Sequence, residues 1–222
     1  VSGGKPLDQS LNSQVLDVTR GAGIARLTWN DELVFQDASP WQAFDTARVT
    51  PPPGSFLQAT AQGQAALVAG VAEALIGAKH IADLFAGCGT FTLPLAVKAA
   101  VHSVEGDAAM LSALAEGWRG ARGLKPVTTQ RRDLFRRPLL SDELARFDGI
   151  VIDPPRAGAE AQSHELASHG RARLAMVSCD PATFARDAAL LVTGGYQIAW
   201  IDVVDQFRWS GHVEVVAALY RP

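Results

Sequence analysis

Cys179 and Glu214 are the two residues of this chain whose types and settings point most directly to covalent and proton-transfer chemistry. Cys179 stands in Val177-Ser-Cys-Asp-Pro-Ala-Thr-Phe-Ala-Arg-Asp187, after an apolar run and before a helix expected to open at about Pro181. A thiol just ahead of a helix N-terminus gains from the macrodipole, which favours the thiolate and makes Cys179 a candidate nucleophile. The same residue taken alone, a single cysteine after a buried strand, is more often a small core side chain. Glu214 closes Asp205-Gln-Phe-Arg-Trp-Ser-Gly-His-Val-Glu214 and is followed by the apolar run 215–219. Alternation of period two would put His212 and Glu214 on one face. A carboxylate at such a strand entrance is partly desolvated, which raises its pKa toward that of a useful base.

A second group of residues could hold a nucleoside. Asp83-Leu-Phe-Ala-Gly-Cys-Gly-Thr-Phe91 follows one apolar run and precedes a helical segment. Its glycines, Gly87 and Gly89, let backbone N–H groups approach a ligand. The third glycine of the dinucleotide spacing is absent, and the Asp83 carboxylate would suit the ammonium or sulfonium charge of S-adenosylmethionine. Glu105, about twenty residues on at the end of the next apolar run, is where an acid takes ribose hydroxyls. Asp153-Pro-Pro-Arg156 closes a further run, with the paired prolines holding Asp153 and Arg156 rigidly.

The elements that must position these groups follow from hydrophobic rhythm. Strands are expected at 81–84, 101–104, 127–129, 150–152, 174–177, 198–204 and 213–219, mostly with helical segments between. The last two are too close for an intervening helix and should form an antiparallel hairpin. The expected fold is α/β, a Rossmann-like class I methyltransferase sheet of seven strands with that hairpin at its end. A helix is expected over 67–76, stopped by Gly77. Before it, β-branched and aromatic runs at 15–19, 24–29 and 33–35 predict a small N-terminal β segment. The run Pro51-Pro-Pro-Gly54 marks a boundary between residues 1–54, the remnant of a small β-rich connecting domain, and a main domain over 55–222.

Composition narrows the classes. With 222 residues, 48% of them apolar, the chain can bury one full α/β core. It has no run of eighteen apolar residues and no signal-like opening, so a cytoplasmic protein without a membrane partner is expected. Two distant cysteines indicate neither a disulfide framework nor a metal site. The net charge of −3 argues against a whole-surface nucleic-acid binder. Residues 119–137, however, carry seven basic residues (Arg119, Arg122, Lys125, Arg131, Arg132, Arg136, Arg137) against Asp133, a local +6 that leaves −9 elsewhere. The chain opens at Val1 with a loose Ser-Gly-Gly-Lys-Pro segment, from which an N-terminus further upstream is expected.

Taken in order, Ser55-Phe-Leu-Gln58, Asp83 to Phe91, Asp153-Pro-Pro-Arg-Ala-Gly158, Val177 to Thr183 and His212-Val-Glu214 resemble the RNA 5-methyluridine methyltransferase family, which acts on tRNA and 23S ribosomal RNA. The resemblance implies an S-adenosylmethionine-dependent enzyme in which Cys179 is the nucleophile and Glu214 the base. By it Gln58, Phe85, Thr90, Glu105 and Asp153 fall at cofactor contacts, and Asp83, Gly87, Gly89 and Asp133 join that set. Two positions depart from the family pattern: Asp180 stands where Asn is usual, and Thr60 where Asn is frequent. A charge at Asp180 would oppose thiolate formation unless a cation such as Arg156 offsets it. The implied partner is RNA, presenting the uridine in a single-stranded loop or extruded from a helix. No metal is expected in this chain, since the iron–sulfur cluster of some similar proteins needs four cysteines. The competing expectations are a same-fold enzyme that methylates nitrogen, with Cys179 structural, and a cofactor-binding domain without turnover.

Overall fold

A computed structural model describes residues 1–169, 172–207 and 209–222. The chain begins with α1 (Gln9–Gly21), capped by the Asp8 side chain accepting from the Leu11 N–H. This corrects the strand expected at 15–19. Val15, Val18 and Thr19 favour strand locally, but they are three residues of a thirteen-residue capped helix, and cap and length outweigh a weak propensity. The hairpin β1 (Arg26–Trp29) and β2 (Glu32–Gln36) follows as expected, turning through Asn30 and Asp31, both at positive φ. A second hairpin, β3 (Gln42–Phe44) and β4 (Ala47–Val49), was not distinguished in the sequence. It packs on the body of the molecule: Phe44, Ala47 and Val49 share a buried cluster with Cys88, Leu93 and Ala113.

After the proline run comes α2 (Ala61–Ala74), which Thr60 caps by accepting from the Gly63 N–H at 2.9 Å. The chain then alternates β5 (His80–Leu84), α3 (Thr92–Leu95), β6 (Ala100–Glu105), α4 (Ala108–Gly120), β7 (Val127–Arg131), α5 (Ser141–Leu144), β8 (Gly149–Ile152), α6 (Glu160–His169), β9 (Arg173–Ser178), α7 (Pro181–Thr193), β10 (Gln197–Val204) and β11 (Glu214–Tyr220). These seven later strands form one sheet in the order β10-β11-β9-β8-β5-β6-β7. Pairs among β5 to β9 are parallel, while β11 runs antiparallel to both β9 and β10. The seven strands match those expected, each within a few residues. Large apolar clusters cover the sheet, one built on Leu84, Ile150, Ile152 and Leu174, another on Leu67, Ile81, Val151 and Val177. Among the described residues no helix is long and apolar enough to cross a membrane.

This topology sets the site. The order doubles back at β5, so the loops after β5, β6, β8 and β9 open on one edge of the sheet. Because β11 is antiparallel, its first residue lies at that same edge. Its register places Val215 opposite Ser178, which brings Glu214 alongside Cys179.

Candidate active site

A cavity of about 720 Å³ opens at this edge. Its lining brings together Gln58, Phe85, Gly87, Thr90, Glu105, Asp133, Asp153, Cys179 and Glu214, nine residues singled out in the sequence. Asp83 and Gly89 are not in the lining. Asp83 lies beneath it, fully buried, with Oδ2 accepting from Thr92 Oγ1 at 2.5 Å and Oδ1 without a partner. Gly89, at φ +97, permits close helix packing, since a Cβ there would come 2.9 Å from Leu114. The opposite holds at Gly87, where the space a Cβ would take is open.

The turn after β5 is strained and tightly held. Phe85 adopts φ +63, a region that costs a non-glycine residue about 1 kcal/mol or more. The backbone N–H groups of Phe85 and Ala86 both donate to the Val104 carbonyl. Glu105 accepts from the Gly87 N–H at 3.1 Å through Oε2 and from the Asp107 N–H at 3.0 Å through Oε1. Each oxygen keeps a lone pair for a hydroxyl donor. Asp133 accepts from the N–H groups of Phe135 and Arg136. Phe135, its ring 5.4 Å from that of Phe85, lines the cavity with Phe56 and Met110. Sequence reasoning missed these three. Phe56 sat unassigned within Ser55-Phe-Leu-Gln58, whereas Phe135 and Met110 are apolar residues that carry no signal of their own.

Cys179 directly follows β9 and is partly open to the cavity. Its thiol is pushed up, by burial first and then by the carboxylates of Glu214 and Asp153, while Arg156 pulls only weakly the other way. The helix-end argument from sequence is therefore outweighed, by burial first and then by two nearby carboxylates. Asp180 is not the cause. Its carboxylate caps α7, accepting from the N–H groups of Ala182 and Thr183, a task that Asp and Asn perform about equally. Thr60, the other departure from the family pattern, likewise caps a helix. Both departures thus exchange one capping residue for another.

Glu214 is 1% exposed, and its Oε1 has no partner. Burial raises its pKa, opposed by the neighbouring Gln206 side chain. Asp153, walled in by protein although open to the cavity, is raised well above the usual carboxylate range by burial, then by Glu214 and Asp83. His212 does not share a strand face with Glu214 as expected, because β11 begins only at Glu214. Instead His212 is exposed in the preceding loop, its ring edge-on to Phe207. Arg208 of that loop lies outside the described residues.

The basic stretch divides. Arg132 is committed to the fold, paired with Glu143 at 2.6 Å and donating to the carbonyls of Arg137 and Pro138. Arg119, Arg122, Lys125, Arg136 and Arg137 are exposed. Among the described residues no group of His, Cys, Asp and Glu could hold a metal ion.

A seven-stranded sheet in this order, with an antiparallel penultimate strand and a cavity over its carboxyl edge, is the class I methyltransferase fold. Comparison with known proteins narrows it further. Residues 121–221 match the family model described as tRNA (Uracil-5-)-methyltransferase. An uncharacterized RNA methyltransferase of Mesorhizobium japonicum is 54% identical over 200 residues, covering 90% of this chain and 48% of that protein. The 23S rRNA (uracil(1939)-C(5))-methyltransferase RlmD of Chromohalobacter salexigens is 43% identical over 172 residues, covering 76% of this chain and 35% of its own length. Among solved structures, the Pyrococcus abyssi tRNA (uracil-54, C5)-methyltransferase in complex with S-adenosyl-L-homocysteine aligns at a TM-score of 0.71 and 26% identity, over 83% of this chain and 45% of that one. The chain belongs to this RNA (uracil-5-)-methyltransferase family, and it spans about half the length of the curated relatives it matches.

Proposed function

We propose that this chain is the catalytic part of an enzyme that transfers a methyl group from S-adenosylmethionine to carbon 5 of a uridine in tRNA or 23S ribosomal RNA. In this reading residues 55–222 are the methyltransferase domain, residues 1–54 are the remnant of a connecting domain, and the setting is cytoplasmic. The observation that carries it is the meeting of Cys179, Glu214 and the Gln58, Phe85, Gly87 and Glu105 group in one cavity. The donor set suits the cofactor. Glu105 keeps lone pairs for ribose hydroxyls, Phe85 and Phe135 offer rings to a base, and a cation bound there would draw the raised carboxyls of Asp153 and Asp83 back toward their charged form. Bound there, S-adenosylmethionine would supply an electrophilic methyl group.

The chain's own residues account for the rest. Carbon 5 of uracil is a weak nucleophile, but addition of the Cys179 thiolate at carbon 6 breaks the C5=C6 double bond and moves its electron pair toward carbon 5 as an enolate. Once carbon 5 carries the methyl group, Glu214 takes the C5 proton. The pair left behind restores the double bond and expels the thiolate. A buried carboxylate with a raised pKa suits that step. The Cys179 thiolate must reach a face of the uracil ring at carbon 6, which stacking in a duplex covers, so the uridine has to be unpaired or flipped out.

The test separates the two residues. Cys179→Ser, with a hydroxyl hardly ionised at neutral pH, should give neither product nor adduct. Glu214→Gln should add and methylate but stall at elimination, accumulating protein crosslinked to methylated RNA as a slow band on a denaturing gel. RNA carrying 5-fluorouridine should trap the unmutated enzyme for the same reason. An active Cys179→Ser protein would end the covalent reading and favour methylation at nitrogen.

A further inference from the structure

Gln206 is 8% exposed in the loop between β10 and β11, and its amide is pinned at both ends. Oε1 accepts from the Thr60 backbone N–H at 3.3 Å, and Nε2 lies 2.6 Å from Gln58 Oε1. A backbone N–H can only donate, so the end of Gln206 that faces Thr60 must be its oxygen. The other end is then the NH₂ group, and it must meet the acceptor end of Gln58. With Oε1 so engaged, Gln58 has Nε2 left to offer the cavity it lines. The seat for Gln206 is close-fitting: a Cβ on Gly63 would come 2.3 Å from Gln206 Oε1, so a side chain there would push the Gln206 amide from its place. Gln206 also flanks Glu214, which ties the Gln58 side of the cavity to the base.

We infer that Gln206 is a positioning residue that fixes the polarity of the Gln58 amide, so that Gln58 meets an acceptor oxygen of the nucleoside cofactor as a hydrogen-bond donor. This rests on the cofactor reading above. The three groups form one directional relay, Thr60 N–H to Gln206 to Gln58 to ligand, although 148 positions separate Gln58 from Gln206 in the sequence. Without Gln206 the Gln58 amide is free to turn, and half of its orientations present a carbonyl to the ligand oxygen.

Calorimetry with S-adenosylhomocysteine tests this on the unmutated chain, Gln206→Met, Gln58→Met and the double variant. Gln206→Met should weaken binding about twofold, the cost of selecting one of two amide orientations, and Gln58→Met about tenfold, the worth of one good hydrogen bond. In the Gln58→Met background Gln206→Met should cost nothing further, because the donor it orients is gone. Gln206→Glu keeps an acceptor for the Thr60 N–H, and with it the start of α2, but as a carboxylate cannot donate to Gln58; it too should weaken binding. A merely structural Gln206 gives losses that add in the double variant. Additive losses, or undiminished affinity in both Gln206 variants, overturn the relay while leaving the cofactor reading intact. No binding by the unmutated chain overturns the cofactor reading, and the relay with it.

Discussion

Replacing Asp83 with asparagine isolates the electrostatic cost that this site imposes on the fold. Burial, with a smaller push from Glu105, raises the Asp83 pKa from 3.8 to about 7 against the pull of Thr92. Between those values the folded chain holds a proton that the unfolded chain has released. The stabilising contribution of that proton is complete below 3.8 and is lost as pH rises through about 7. Roughly three pKa units at 1.36 kcal/mol each amount to about 4 kcal/mol, of which about 3 kcal/mol falls between pH 5 and pH 8. Asp83→Asn keeps a carbonyl acceptor for the Thr92 hydroxyl and cannot ionise, so that component of the pH dependence should vanish. Asp153 and Glu214 are raised in the same direction and are present in both proteins; Asp153 loses the push from Asp83 in the variant, which adds to the difference in the same sense. Urea unfolding at pH 5 and pH 8 makes the measurement. From the lower to the higher pH the unmutated chain should lose about 3 kcal/mol more stability than Asp83→Asn. Equal losses in the two proteins would refute the view that Asp83 is held protonated by the fold.

The raised Cys179 thiol predicts that iodoacetamide labels it slowly at neutral pH, with a rate that climbs to a midpoint above the ordinary thiol value. Glu214→Gln removes the largest charge cause and should lower that midpoint; mass spectrometry tells Cys179 from the buried Cys88, and an unmoved midpoint would discount the carboxylate. The basic stretch should split by role. Arg132→Ala, which breaks the 2.6 Å pair with Glu143 and leaves two carbonyls without a donor, should cost about 1 to 3 kcal/mol in unfolding experiments. Arg136→Glu with Arg137→Glu should leave stability nearly unchanged, weaken RNA binding and flatten its salt dependence. RNA affinity untouched by that double change would mean that this face does not contact RNA.

What could be read in the sequence, and what could not, divides by the range of the forces involved. Strands β5, β8 and β9 are buried on both faces and so appear as largely apolar runs between turn residues; the ends of β8 and β9, with that of the more mixed β6, gave the places of Asp153, Cys179 and Glu105. The helix at Gln9–Gly21 was misread because three β-branched residues gave a local strand signal, whereas the deciding features were a cap at Asp8 and sustained length. The strand β11 was legible, but its first residue was not, and that single register point removed His212 from the face of Glu214. Gln206 was invisible, since nothing in an uncharged side chain announces a partner 148 positions away.

The electrostatics of Cys179 show the same limit more sharply. The sequence displays the helix that follows the cysteine, a local feature, and the dipole argument built on it has the correct sign. It does not display that burial at the cavity wall, together with Glu214 at the start of β11 and Asp153 just after β8, sets the balance the other way. Three carboxyl groups in or beneath one cavity, those of Asp83, Asp153 and Glu214, all have pKa values raised by burial. A fold selected for stability alone would replace at least one of them with an apolar or amide side chain. Two of their oxygens, Asp83 Oδ1 and Glu214 Oε1, are buried without a hydrogen-bond partner, an arrangement that a cationic ligand or a proton from substrate would relieve. The instability is therefore concentrated where the proposed chemistry needs it: an unsatisfied carboxylate is a poor structural element and a good base.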